Sequence, residues 1–267
     1  MIIYGSRMYG KRDEVITHGY CRGCDRTVQH KSYNGRKFGH VYFIPLFPCG
    51  KPSRVIQECG KCGIGSHIPE AEVPGICRGL TEDLHQCVEA SARGEHRIKD
   101  ADGEELDTAP VLASTIEMLT VLNNYGPVSA AIKELGDDSY ERHVAEAVHE
   151  ELGGQLQRAL KCAKSAARAN KEAVWPIAKL AEYSGRLKRH DDQLKLLDRA
   201  IKMVGPTEAL GLKIQKLSPL ESLKEFGQML EVMDECMQDS PELAQDKVFA
   251  KERKKVEKKA RKLGQID

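Results

Sequence analysis

The sequence predicts a small β domain followed by an all-α domain of paired helices. Three observations predict it. Two Cys-x-x-Cys pairs, Cys21-Arg22-Gly23-Cys24 and Cys59-Gly60-Lys61-Cys62, stand close together in the first quarter of the chain. Beyond residue 80 the apolar period changes from about two, that of strands, to about 3.6, that of helices. Residues 140–173 laid over 174–207 repeat at a period of 34.

In chain order, 2–4 (Ile-Ile-Tyr) reads as a short strand turning at Gly5, and the polar stretch 7–14 as a loop. Residues 15–20 carry β-branched and aromatic side chains and lead into the first cysteine pair. Residues 26–37 are polar, with Asn34-Gly35 as a type I′ hairpin turn. The strongest strand candidate is 40–44, His-Val-Tyr-Phe-Ile, stopped by Pro45 and Pro48. A strand at 53–58 runs into the second cysteine pair. Residues 69–80 hold Pro69, Pro74, Gly75 and Gly79 and read as a linker, which sets the domains at 1–68 and 81–246.

Helices are expected at 81–93, 109–123 and 127–135, with an irregular acidic stretch at 94–108. Asp138-Ser139-Tyr140-Glu141 reads as a capping box opening a helix that ends at Gly153-Gly154. Further helices follow at 155–170, 171–185, 190–204 and 206–217. Ser218-Pro219-Leu220-Glu221 reads as a second capping box, and Ser240-Pro241-Glu242 as the start of a final helix that continues into a basic segment, 247–267.

Composition narrows the function classes. Charged residues make up 30% and aromatics only 5%, which disfavours a large β-sandwich or barrel. No apolar run approaches the roughly 20 residues that span a bilayer, and residues 1–5 lack the features of a signal peptide. The protein is therefore expected in the cytoplasm, or in the nucleus if the cell has one. Nine cysteines, five of them scattered (Cys49, Cys77, Cys87, Cys162, Cys236), suit a metal plus free thiols in a reducing compartment. The net charge of +1 is uneven. Residues 1–80 hold 12 Lys/Arg against 6 Asp/Glu, 81–246 hold 20 against 31, and 247–267 hold 9 against 3. That asymmetry bears on partners.

Cys21, Cys24, Cys59 and Cys62 are the candidate ligands of one structural Zn²⁺. A Cys-x-x-Cys turn aims two sulfurs at one point, and two turns complete a tetrahedron. A redox dithiol would need only one such pair. Gly63 after the second pair lets backbone amides approach the thiolates; Asp25 holds the equivalent place after the first. Cys49 reads as a small buried residue or a fifth thiol near the site, and His18, His30, His40 and His67 as flanking side chains rather than ligands. Gly60-x-x-Gly63-x-Gly65 is better explained by the cysteine turn than by a phosphate loop. His149-Glu150-Glu151 lacks the second histidine of a metalloprotease, and 100–104 lacks the ligands of an EF-hand. No nucleophile, base and orienting group stand out together.

Two resemblances follow from these residues. Ile2-Ile3-Tyr4-Gly5, Cys21-x-x-Cys24, Tyr42-Phe43-Ile44-Pro45-Leu46-Phe47-Pro48 and Cys59-x-x-Cys62-Gly63 come in the order found in a widespread group of zinc-ribbon proteins. Over 1–68 the resemblance implies a zinc ribbon and its metal, and no shared activity. Residues 140–207 resemble tetratricopeptide repeats: Ala147 falls on Ala181, Ala166 on Ala200, Ala163 on Leu197 and Leu160 on Leu194. Gln193 and Lys188 stand where that family has a small residue and a turn glycine, and the third unit fails at Ser218-Pro219. The alternative is a generic helical bundle with alanine-rich contacts.

The expected fold is thus a small β zinc ribbon plus an all-α domain of tetratricopeptide-like helix hairpins. The expected function is a noncatalytic adaptor that binds a protein partner through its helices. A second expectation is nucleic-acid binding by the basic ribbon and the basic helix at 247–263, where Phe249, Val256 and Leu263 form one narrow apolar stripe. An enzyme with a site in the helical part ranks third.

Overall fold

The computed structural model describes residues 4–266 except 22, 25, 42–43 and 100–101. Ile2-Ile3 of the first expected strand, Tyr42-Phe43 of the 40–44 strand, and Arg22 and Asp25 of the first cysteine turn lie outside the described residues. The chain forms two compact units, Met1–Ala169 and Asn170–Asp267.

The first unit begins with β1 (Tyr4–Cys21), β2 (Arg26–Val41), β3 (Ile44–Pro48), β4 (Ser53–Cys59) and β5 (Ser66–Pro69). They make one antiparallel sheet in the order β1-β2-β4-β5, with β3 also paired to β2. The loop expected at 7–14 is instead the middle of β1. Long β2 supplies it with partners (Arg7 opposite Phe38, Met8 opposite Lys37), and register shifts on either side of Arg12 absorb the misfit. Its stretch 10–14 is polar and exposed, as an antiparallel sheet open to water on one face allows.

Asn34-Gly35 is not a turn but lies within β2, opposite both Arg12 of β1 and Arg54 and Ser53 of β4. Asn34 Nδ2 donates to Asp13 Oδ2 (2.9 Å), and a Cβ on Gly35 would sit 3.2 Å from the Tyr9 carbonyl oxygen. The pair serves close strand approach. Pro45 and Pro48 do not stop a strand either. They lie in β3, which pairs only with β2 among the described residues, and a strand with one partner tolerates a missing N–H.

The linker expected at 69–80 is a turn of 3-10 helix (Glu70–Glu72) and the first half of α1 (Val73–Ala92). Pro74 sits in the first turn, where helical N–H groups have no partner. Gly75 and Gly79 face open space. Val73, Ile76, Cys77 and Leu80 share one face and pack with Ile68 and Met118 around Ile56 of β4 and Val121 and Leu122. The boundary between 1–68 and 81–246 therefore does not separate two domains: the sheet and the first helices share a core.

A hairpin, β6 (Arg97–Lys99) and β7 (Glu105–Asp107), replaces the irregular stretch expected at 94–108. Then come α2 (Thr108–Val121), α3 (Tyr125–Glu134), α4 (Tyr140–Leu152) and α5 (Leu156–Ala169). The cap of α4 is Ser139, whose hydroxyl accepts from Arg142 N–H (3.1 Å). Glu141 does not complete a capping box. It is buried, and accepts from Ser91 Oγ (2.9 Å) and Thr108 Oγ1 (2.9 Å) beside His96 Nδ1 (2.8 Å). A buried carboxylate needs such partners more than a helix end needs a second cap.

The second unit holds α6 (Val174–Arg186), α7 (His190–Met203), α8 (Pro206–Leu223), α9 (Phe226–Asp239), α10 (Pro241–Gln245) and α11 (Lys247–Lys262). The capping box expected at 218–221 is absent, because α8 runs through Pro219 and ends at Lys224 with φ +62°. Pro219 and Leu220 are buried, and that burial overrides local punctuation. A third hairpin, α8–α9, therefore forms where the repeat was expected to fail.

The 34-residue register reappears in burial. Ala147 and Ala181, Ala166 and Ala200, and Ala163 and Leu197 are all fully buried. The turn residues also match: Gly154 has φ +78° and Lys188, 34 positions on, φ +60°. Lysine here takes the left-handed conformation that usually goes to glycine. Gln193 fits because Gly185 faces it across the hairpin, where a Cβ would lie 2.6 Å from Gln193 Oε1. In the first hairpin the equivalent positions are Ala159 and Glu151, so the small residue has changed helices.

Candidate metal centre

The first cysteine turn closes the β1–β2 hairpin. Cys21 ends β1, and Cys24 N–H donates to the Cys21 carbonyl (3.1 Å). The second closes β4–β5. Cys59 ends β4, Gly63 N–H donates to the Cys59 carbonyl (2.9 Å), and Cys59 N–H to the Ile64 carbonyl (2.8 Å). Gly63 has φ +71°, so a glycine is needed here for conformation. Pairing of His30 with Cys59 sets the two hairpin ends side by side.

All four sulfurs lie within 4.8 Å of one another. Cys21 Sγ is 3.6 Å from Cys62 Sγ, and Cys24 Sγ is 3.6 Å from Cys59 Sγ. A disulfide needs about 2.05 Å. Sulfurs about 2.3 Å from a central ion at tetrahedral corners would be about 3.8 Å apart. The spacing therefore fits a bound cation and not a bridge, and the four cysteines could bind a metal ion. Cys21 and Cys59 are buried beside Val28, Cys24 is half-buried and Cys62 exposed.

Electrostatics within the set are uneven. Backbone N–H groups of Cys62 and Lys61 pull the Cys59 thiol down to about 6; the Lys61 contact is 3.4 Å. Removal from water, together with the neighbouring thiols, pushes Cys24 up to about 12 and also raises Cys21. One thiolate thus opposes the next. A divalent cation would reverse this by neutralising thiolate charge, and its binding would release protons.

The other expected neighbours do not join the cluster. His30 and His40 are buried, His18 half-buried against Gly154, and His67 exposed. Cys49 is exposed, with Sγ 3.7 Å from the Phe47 carbonyl. At the other end of β4, Arg54, which the sequence pattern had passed over, is a fully buried cation. Its Nε and Nη2 donate to the Val121 carbonyl (3.0 and 2.7 Å), and Nη1 to the Asp13 carbonyl (2.9 Å). It sits in a run of strand residues, and only the fold shows that it ties the sheet to the end of α2.

A concavity of about 510 Å³ lies among α3, α4 and α5. Tyr125, Val128 and Ile132 line it, with Glu146, His149 and Cys162. Burial, then Glu146 and Glu150, push the Cys162 thiol up, away from the nucleophilic thiolate. Glu146 is held by Arg142 Nε at 2.6 Å.

No family model matches the chain, and no curated protein matches it. One solved structure, described as the TPR2AB-domain:pHSP90-complex of yeast Sti1, is similar over 72% of this chain and 80% of that chain, at 13% identity and a TM-score of 0.38. So slight a likeness carries no argument here. The architecture described above, an antiparallel sheet bearing a four-cysteine cluster followed by helix hairpins, rests on the chain's own geometry.

Proposed function

We propose that the chain is a noncatalytic adaptor, stapled by one structural zinc at Cys21, Cys24, Cys59 and Cys62, that presents tetratricopeptide-like helix hairpins to a protein partner. The carrying observation is the four-sulfur cluster at tetrahedral spacing. Four protein thiolates leave no position for water or substrate, as in structural zinc sites. An all-thiolate tetrahedral set suits zinc among the hard and soft cations. The matched burial of Ala147 with Ala181 and Ala166 with Ala200 supports the repeat reading. Nine unbridged cysteines support a reducing compartment such as the cytoplasm. No helix among the described residues is long and apolar enough to cross a membrane.

Elemental analysis of the purified chain tests the staple: about one zinc per chain is expected, and metal-free protein with an intact sheet would sink it. Cross-linking of the full chain in cells tests the adaptor. A partner captured by the wild type and lost with Tyr125→Glu, in the cavity beside α3, supports it. Equal capture by both, or none by either, counts against that surface.

A further inference from the structure

The basic residues of α11 fall into two sets. Those facing α8 and α9 are paired: Arg253 with Asp234 (2.6 Å) and Lys259 with Glu221 (2.8 Å). On the helix itself, Lys255 pairs with Glu252 and Arg261 with Glu257. Lys247, Lys251, Lys254, Lys258 and Lys262 are exposed and have no carboxylate partner among the described residues. The first four line one shallow concavity with Lys255.

Their spacing puts them on one helix face. It also makes three lysine pairs at i,i+4 among them: 247 with 251, 254 with 258, and 258 with 262. Like charges at that spacing oppose helix formation. The apolar side of α11 is already occupied, since Phe249, Val256 and Ala260 pack into the core with α8 and α9. The exposed face therefore carries charge without an apolar stripe, so it does not fit insertion into a bilayer, which needs both. Repulsion on such a row is relieved by a polyanion lying along it.

We propose that this face of α11 binds the phosphate backbone of a nucleic-acid duplex. A helix of this kind sets lysines about 6 Å apart for each four residues along a straight row. A duplex offers a dense and regular line of phosphates to meet it. Lysine meets phosphate as a point charge, and contacts to phosphate carry no sequence information. Binding is therefore independent of sequence. The β end contributes less than its composition suggests. Lys11 is paired with Glu58, Arg12 with Glu70 and Lys31 with Glu14.

The test is fluorescence anisotropy of the full chain with a labelled mixed-sequence DNA duplex across a salt series. Engagement of the five lysines predicts a slope of log K against log salt of about −4.5. Lys251→Gln, Lys254→Gln and Lys258→Gln combined should remove roughly 3 units of that slope. Glutamine keeps helix propensity, so circular dichroism should be unchanged and zinc content intact. No duplex binding, or a slope unaltered by the triple variant, overturns the proposal. So does equal, lysine-dependent binding to polyglutamate or to phosphatidylserine vesicles.

Discussion

In the sheet, the buried polar side chains include Arg54, Thr17, Ser32 and His30, beside the two cysteines Cys21 and Cys59; in the α6–α7 hairpin the buried side chains are mostly apolar, Ile177, Leu180, Ala181, Leu197 and Ala200, with Tyr183 and Ser184. The sheet's interior mixes apolar side chains (Val15, Tyr33, Val55, Ile56) with polar ones, several of which are met by partners far away in the chain. Ser32 Oγ accepts from Gln57 N–H (3.0 Å), Arg54 donates to the Val121 and Asp13 carbonyls and to Asn34 Oδ1, and the four sulfurs could hold an ion between them. The hairpin relies mainly on shape: small buried residues such as Ala181 and Ala200 stand among larger ones such as Ile177 and Leu197. A polar interior depends on long-range partners, and a shape-packed one on a local period.

Breaking the staple should have the largest effect. The proposed structural zinc would contribute on the order of 10 kcal/mol to folding, so Cys59→Ser should collapse the sheet. Because Ile56 shares a core with Val121 and Leu122, protection in α1 and α2 should fall with it, while α6–α11 keep theirs. Hydrogen exchange measures both. Acid should act the same way, since protons compete with the ion for thiolates: metal release is expected to precede loss of the second unit's helicity as pH falls. Simultaneous loss of α6–α11 protection would refute the division into two units.

Arg54→Met comes next. It leaves the Val121 carbonyl buried without its donors, a cost of about 3 kcal/mol, read as a lower urea midpoint for the sheet with zinc still bound. An unchanged midpoint would mean that apolar contacts, not this cation, join sheet to helix.

Ala181→Leu probes the shape-packed side. Overpacking there should cost about 2 kcal/mol and leave the metal site untouched. If it were neutral, the hairpin would have slack that its buried alanines do not indicate. Smallest and opposite in sign is Lys188→Gly. Relief of the left-handed φ should stabilise the second unit by up to about 1 kcal/mol. A loss instead would show that lysine makes a contact outweighing its backbone strain.

How far each part was legible follows from the same contrast. The four-cysteine cluster was readable because a Cys-x-x-Cys turn carries its geometry within four residues. The α4–α5 and α6–α7 hairpins were readable because apolar period and turn residues are local. Errors arose where a residue type has two uses. Pro74, Gly75 and Gly79 read as a linker, yet proline suits a first helical turn and the glycines face solvent, while Val73, Ile76, Cys77 and Leu80 kept helical spacing throughout. Asn34-Gly35 reads as a turn when no third strand is in view. Glu141 reads as a cap until Ser91, His96 and Thr108 are brought to it.

By itself the sequence determined the two Cys-x-x-Cys turns, the helix period, the 34-residue repeat and the uneven charge, because each is written in spacings of a few residues or in composition. Only the tertiary structure decided that the sheet and first helices are one unit, that Arg54 is buried, that α8 continues through Pro219, and which lysines of α11 go unpaired. Those outcomes depend on groups far apart in the chain, and burial or pairing by a distant neighbour is worth more than the local preference it overrides.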